Sequence, residues 1–203
     1  MTYAVHSMFL TAQGEGANLG RVAVFIRFAG CNLWSGREKD RATAVCQFCD
    51  TEFVGGKRYT PTALADAAVA LFPGDRHRMV VLTGGEPLLQ VDKPLLDELR
   101  SRNFYIAVET NGTKQLPGHV HWLCVSPKAG APLVLWNADE LKLVYPQVGL
   151  EPERLTDFHA VHRWLSPMAG RRTKPNTRAA ASYCLAHPEW RLAIQAHKTW
   201  GLA

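Results

Sequence analysis

Five times along this chain a strand-length apolar run breaks off into a short polar or glycine-rich stretch. The stretches are "AGC" after Phe28, "TGGEP" from Thr83, "ETNGT" from Glu109, "SPK" from Ser126 and "QAHK" from Gln195. The runs themselves, Val22–Phe28, Met79–Thr83, Phe104–Glu109, Val120–Ser126 and Arg191–Gln195, read as strands, as do Tyr3–Leu10 and Glu140–Tyr145. Helical patterns lie between them. In "TPTALADAAVALF", Leu64, Ala67, Ala68, Leu71 and Phe72 follow the spacing of one face, with Thr60 as cap before Pro61. In "DKPLLDELRSRN", Leu95, Leu96 and Leu99 follow Asp92; in "NTRAAASYCLAH", Ala180, Tyr183, Cys184 and His187 share a face. Apolar strands alternating with helices specify a parallel sheet, curled or open, with helices outside. Reactive residues in such sheets collect at the carboxyl ends of the strands. Each stretch taken alone is also plain turn chemistry; their shared placement points to one site at that edge.

The chain has 203 residues, enough for one sizeable core, and shows no repeat, low-complexity tract or linker, so residues 1–203 read as one domain. The apolar runs are too short to span a membrane, and the first residues lack a basic segment and cleavage site of the secretory kind. Five cysteines, an odd number and clustered, argue for a reducing compartment, hence the cytoplasm. A net charge of +5 suits nucleic acid, an acidic protein or an anionic small molecule. The densest basic run, Arg171 to Lys174, has no interleaved aromatics and reads as a solvated loop, so no nucleic-acid partner is expected.

Three of the cysteines stand together as Cys31, Cys46 and Cys49, the last two in a C-x2-C. A structural zinc site normally closes with a fourth Cys or His. Cys184 lies on an apolar helix face and Cys124 shares a strand face with Trp122, so both read as core thiols. A four-iron cluster held by three thiolates keeps one iron open for a chelating cofactor, and both metal readings stand at this point.

"GCNLWSG…CQFCDT" with "TGGEP" resembles the radical S-adenosylmethionine superfamily, whose usual cluster motif is C-x3-C-x2-C. The wider first gap, the Q-G-E-G near the N-terminus, "RFAGCNLWSG", "CDT" and the C-terminal Q-x-H-K are similar to the 7-carboxy-7-deazaguanine synthases. The resemblance runs from Thr11 to about Lys198. It implies a partial, open parallel β/α barrel with an expanded cluster-binding loop at 31–49. It also implies a 4Fe-4S cluster, S-adenosylmethionine and Mg2+. The implied reaction is radical ring contraction of 6-carboxy-5,6,7,8-tetrahydropterin to 7-carboxy-7-deazaguanine, a step toward queuosine. A flavodoxin- or ferredoxin-like electron donor and a homodimer come with the family.

The resemblance also assigns residues. Cys31, Cys46 and Cys49 would hold the cluster and Thr51 the Mg2+. Arg27, whose charge sits on an otherwise apolar strand, would meet the substrate carboxylate; by itself an internal ion pair serves as well. Glu15, with Ala12, Gln13 and Gly14 around it, would accept from the pterin, joined by Thr83, His197 and the carboxylate of Ala203. Gly84, Gly85 and Glu86 would meet the methionine end of the cofactor, and Gln47, Phe48, Cys49 and Asp50 the adenine side. Ser126, Pro127 and Lys128 would face the cofactor, with Glu109 and Asn111 as candidates for its ribose. Ser166, Pro167 and Met168 belong to "SPMAG", where the family pattern is Q-P-M-D-G, so two polar side chains at that edge are smaller here. Trp34 would cover the cluster, or the charged insert would receive a reductase. Two other classes compete: a radical activase acting on a protein, and a zinc-stabilised RNA-binding domain.

Overall fold

A computed structural model of the protein describes residues 2–202. Nine strands form one sheet. They are β1 (Tyr3–Ala12), β2 (Val22–Phe28), β3 (Lys57–Tyr59), β4 (Met79–Gly84), β5 (Tyr105–Thr110), β6 (Trp122–Val125), β7 (Asn137–Tyr145), β8 (His159–Pro167) and β9 (Arg191–Leu192). Their spatial order, β3-β1-β2-β4-β5-β6-β7-β8-β9, is that of an open sheet. From β2 onward neighbouring strands are parallel. β1 pairs antiparallel with both β2 and β3. The fold is thus α/β and mostly parallel, and the antiparallel start is one departure from the pattern read in the sequence.

Helices cover fewer crossovers than strict alternation requires. α1 (Pro61–Leu71) and α2 (Lys93–Ser101) flank β4, α3 (Thr173–Ala186) joins β8 to β9, and α4 (Ala196–Trp200) follows. Between β5 and β8 the connections are loops with one short 3-10 turn, Pro152–Leu155. There the sheet's outer face is covered by loop side chains such as Leu135, Leu155 and Phe158. Two strands escaped the sequence reading. β3 has three residues. β8, "HAVHRWLSP", lacks the apolar alternation that marks a strand, because its inward residues are His162, Trp164 and Ser166, in register with Glu140, Lys142 and Val144 of β7. The run expected over Arg191–Gln195 is a strand only at its first two residues, and "QAHK" turns into α4. The Arg171–Lys174 run is exposed as expected, but it leads into α3 rather than forming a loop.

The caps behave as the sequence specifies. Thr60 accepts from Ala63 N at 3.2 Å and Asp92 from Leu95 N at 3.1 Å, each before a proline in the first turn. Leu95, Leu96 and Leu99 are buried against the sheet, each contributing about 2 kcal/mol of burial. The α1 face is rotated from the expected one. Leu64, Ala65 and Ala68 are buried while Leu71 is exposed, because the small alanines let the helix sit close to its neighbours.

Strand alternation divides the side chains between two faces. Val24, Ile26, Val80, Leu82, Ile106, Val108, Leu141 and Leu143 build the main core under the helices. The opposite face has a small apolar floor of Ala23, Met79, Val81 and Ala107. Toward the strands' carboxyl ends, that concave face carries the polar residues of the site. No helix among the described residues is long and apolar enough to cross a membrane.

Candidate active site

A cavity of about 420 Å3 opens at the carboxyl edge of the parallel strands, and all three clustered thiols, Cys31, Cys46 and Cys49, line it. Cys31 follows β2; the other two return after a 3-10 excursion, Glu38–Thr43. Arg41 on that excursion packs 4.0 Å from the Trp34 ring and donates to the carbonyls of Gln47 and Cys49, each at 3.0 Å. The charged insert is therefore solvent-exposed in its middle but tied back to the thiol loop. Trp34 is buried and meets Phe53 edge-on at 5.6 Å. Hydrogen bonding from Cys46 draws the Cys49 thiol down to about 6, while Cys46 itself is pushed far up. Burial raises Cys31. Among the described residues no three His, Cys, Asp or Glu side chains close on a single ion. The thiols instead share the wall of a space larger than an ion, and that arrangement fits a three-thiolate cluster. Cys124 is buried on β6 beside Glu109, Glu140 and Lys142, and burial raises its thiol well above the ordinary range.

"TGGEP" lies across from Cys31. Gly85 has no room for a side chain: a Cβ there would stand 2.0 Å from Gly30 O and 3.0 Å from Cys31 Cβ. The two glycines leave backbone bare to the cavity, which suits the ammonium and carboxylate of an amino-acid cofactor. Glu86 does not reach the cavity. It is fully buried and accepts from Leu88 N at 2.9 Å, Thr110 Oγ1 at 2.6 Å and Asn111 N at 2.8 Å, so its carboxylate holds the segment in place. Asn111 lines the cavity with its side chain already committed to Asn32 and Thr113. Ser126 and Lys128 line it too, Lys128 Nζ donating to Ser126 Oγ at 2.8 Å.

The other half of the cavity is built for a polar, anionic molecule. Arg27 lies on β2 with its guanidinium 5.6 Å from the Phe9 ring, and its buried Nε has no partner among the described residues. No carboxylate among them is within ion-pair distance of it, which removes the internal salt bridge that sequence left open. A half-buried guanidinium with a buried Nε and no counter-charge suits a ligand carboxylate.

Also lining the cavity is a network that links the 13–21 loop, β5, β7 and the start of α4. Lys142 Nζ, on β7, lies 2.6 Å from Glu15 Oε2 and 3.7 Å from Glu109 Oε2. Gln195 Nε2 donates to Glu15 Oε1 at 2.8 Å, and Gln13 Nε2 to Glu109 Oε1 at 2.9 Å. Burial alone would push Glu15 up, but the Lys142 ammonium reverses this and holds the carboxyl below its ordinary range. Burial would likewise lower Lys142; Glu109 and Glu15 outweigh it and hold the ammonium well above its ordinary value.

Glu15 does not come from the carboxyl edge. β1 runs against β2, so the 13–21 loop starts at the opposite end of the parallel strands and folds over the site face of the sheet. Glu140 anchors it, accepting from Ala17 N at 3.0 Å and Trp122 Nε1 at 2.5 Å. Gly14 and Gly16 are needed for contact: a Cβ would meet His197 Nδ1 at 2.2 Å or Glu140 Oε2 at 2.2 Å. Ala196 N donates to Gly14 O at 3.0 Å, seating α4 on the loop.

Ala12, Gln13, Gly14, Glu15, Arg27, Thr83, His197, Phe48, Cys49, Asp50, Thr51, Gly84, Gly85, Glu109, Ser166 and Pro167 all line the cavity. Gln47, Glu86, Pro127 and Met168 do not, and Ala203 lies outside the described residues. Lys142, Gln195 and Ala169 line it without having been singled out in the sequence. Lys142 carried a signal in retrospect, as the charge in the middle of "ELKLVY" on a strand whose neighbours are apolar.

No protein-family model matches the chain. It is 54% identical to the 7-carboxy-7-deazaguanine synthase of Bradyrhizobium diazoefficiens, with 100% of both chains covered. It is 53% identical to that of Caulobacter vibrioides, again over 100% of both, and 52% identical to that of Burkholderia multivorans over 98% of each. Among solved structures, QueE from Escherichia coli superposes with a TM-score of 0.74 at 26% identity, covering 97% of this chain and 95% of that one. Similarity at this level from end to end is that of one family, and this chain belongs to the 7-carboxy-7-deazaguanine synthases.

Proposed function

We propose that the chain converts 6-carboxy-5,6,7,8-tetrahydropterin to 7-carboxy-7-deazaguanine with release of ammonia, a step toward 7-deazapurines such as queuosine. The product differs from the substrate by the elements of ammonia, so the conversion needs no net oxidant. The 4Fe-4S cluster and S-adenosylmethionine, when bound, supply the one-electron chemistry that starts the ring contraction. The observation that carries the reading is the pairing, in the cavity that gathers the three thiols, of a half-buried guanidinium that has no carboxylate partner among the described residues with a carboxylate network.

The residues divide the work as follows. Arg27 takes the substrate carboxylate with its guanidinium fork. Glu15 keeps lone pairs free beside those given to Lys142 and Gln195, and these accept the pterin 2-amino group and adjacent ring N–H. Thr51, two residues after Cys49, offers a hydroxyl to Mg2+, which prefers oxygen and shares the substrate carboxylate. Gly84 and Gly85 receive the cofactor's amino-acid end, Ser126 and Lys128 its flank, and His197, held over Gly14, closes the substrate side. Phe9 and Phe25, stacked at 5.8 Å, and Trp34 keep water from the reacting carbons. Residues 1–203 act as one unit, with the 31–49 loop as its cluster-binding expansion. The reading carries with it a flavodoxin- or ferredoxin-like donor, a homodimer, a cytoplasmic setting and no nucleic-acid partner.

The test is anaerobic reconstitution with iron and sulfide, then incubation with reductant, S-adenosylmethionine, Mg2+ and the pterin. Both 5′-deoxyadenosine and 7-carboxy-7-deazaguanine are expected. Deoxyadenosine without the deazapurine sends the radical chemistry to another substrate; zinc bound in place of iron removes the reading.

A further inference from the structure

We propose that Lys142 is a positioning residue of this enzyme, which keeps Glu15 ionised and fixed so that Glu15 recognises the pterin. The inference rests on the functional reading above and extends it to a residue to which the resemblance assigns no role.

Two carboxylates, Glu15 and Glu109, face one cavity and are both mostly buried, with side-chain exposures of 13% and 25%. Two like charges in such a place do not both stay ionised without a cation between them. Lys142 is that cation, in ion-pair contact with Glu15 and within 3.7 Å of Glu109. Each carboxylate is also pinned from its other oxygen by an amide, Gln195 on Glu15 and Gln13 on Glu109. Glu15 is thereby fixed in both position and charge, from β7 on one side and from the start of α4 on the other. A carboxylate that must accept two N–H donors from a heterocycle needs both.

The titratable groups facing Lys142 are Glu15 from the 13–21 loop, Glu109 on β5, Cys124 on β6, Glu140 on its own strand and Lys128 after β6; His197 faces Glu15 from α4. On β8 its register partner is Trp164, which does not titrate. Without Lys142 the three carboxylates keep no cation in ion-pair contact among the described residues. Lys128, Arg27 and Lys198 line the same cavity, Lys198 reaching Glu15 only through Gln195. Burial of Glu15 is then left largely unopposed and shifts it toward its protonated form, which offers the pterin an O–H in place of a lone pair.

The test uses reconstituted enzyme with S-adenosylmethionine and Mg2+ but no reductant, so that equilibrium binding of the pterin is read without turnover. Wild type is expected to bind with little pH dependence from about pH 6 to about pH 9. Lys142→Met should bind roughly 10- to 100-fold more weakly at neutral pH and recover as pH rises, with iron content and S-adenosylmethionine affinity unchanged. Lys142→Arg, which keeps the charge, should keep the flat profile. Should Lys142→Met not accumulate as folded protein, Lys142→Gln is read the same way. Wild-type affinity with a flat profile in the uncharged variants overturns the inference. So does an equal loss at every pH in the Arg and Met variants, the mark of a structural role. Wild-type enzyme that takes iron and S-adenosylmethionine but no pterin overturns the functional reading itself.

Discussion

Replacing Gly85 by alanine adds a single methyl group where two backbone segments touch. The new Cβ would lie 2.0 Å from Gly30 O and 2.6 Å from its carbonyl carbon, short of ordinary contact by more than an ångström. Gly85 is not in the left-handed region, so the conflict is one of space alone. The Gly30 carbonyl cannot swing away like a side chain. It accepts from Glu86 N at 2.9 Å, and Gly30 N donates to Phe53 O at 3.1 Å. Overpacking of this kind costs about 1–3 kcal/mol, and the strained backbone hydrogen bonds about 1 kcal/mol each. A total of about 3 kcal/mol lowers the melting temperature of a chain this size by roughly 6–12 °C. Thermal unfolding of the metal-free protein, followed by circular dichroism, reads this directly. Iron uptake should fall as well, because the displaced residue adjoins Cys31. Gly118→Ala is the control: its Cβ would sit 3.6 Å from Leu96 Cδ1, an ordinary contact, and it should be neutral or slightly stabilising. A Gly85→Ala protein that melts within about 2 °C of wild type and loads full iron would refute the reasoning.

Arg27→Ala should leave iron uptake intact and weaken pterin binding about a hundredfold, as expected for two hydrogen bonds to a charged group; unchanged affinity removes Arg27 from the site. Asp92→Ala should destabilise by about 2–4 kcal/mol, since it uncaps α2 and strands the buried Tyr3 hydroxyl, which donates to Asp92 at 2.5 Å. Adding Tyr3→Phe should recover part of that loss in urea unfolding, and strict additivity would contradict it. Glu15 has a folded-state pKa below its unfolded value, so its contribution is present above the ordinary glutamate range and lost as pH falls through the lowered one. Glu15→Gln should therefore flatten the acid limb of stability against pH, and an unchanged limb would place the network's effect elsewhere.

Much of the site was legible because it depends on local chemistry. The spacing of Cys31, Cys46 and Cys49 is local, and the glycines of "TGGEP" and those flanking Glu15 mark close approach in the sequence, although which atoms approach them, Gly30, His197 and Glu140, is tertiary. The caps Thr60 and Asp92 are likewise local, and both bind where expected. Glu86 was harder. A carboxylate after two glycines suits a ligand as well as a backbone clamp, and only the position of Thr110 and Asn111 beside it settles its three bonds.

Sequence by itself determined the alternation of strands and helices, the thiol set and the edge at which the cavity forms, since periodicity, spacing and turn chemistry act over a few residues. Tertiary structure alone decided which way the chain enters the sheet, and so that Glu15 reaches the cavity from the opposite end of the parallel strands. It also decided the contacts of Lys142 on β7 and the existence of β8. Both strands carry polar side chains on an inward face, which in sequence looks like the solvent side of a half-buried strand. A sheet with a polar site on one face inverts that pattern, and only the packing of the 13–21 loop and the start of α4 over that face tells inside from outside.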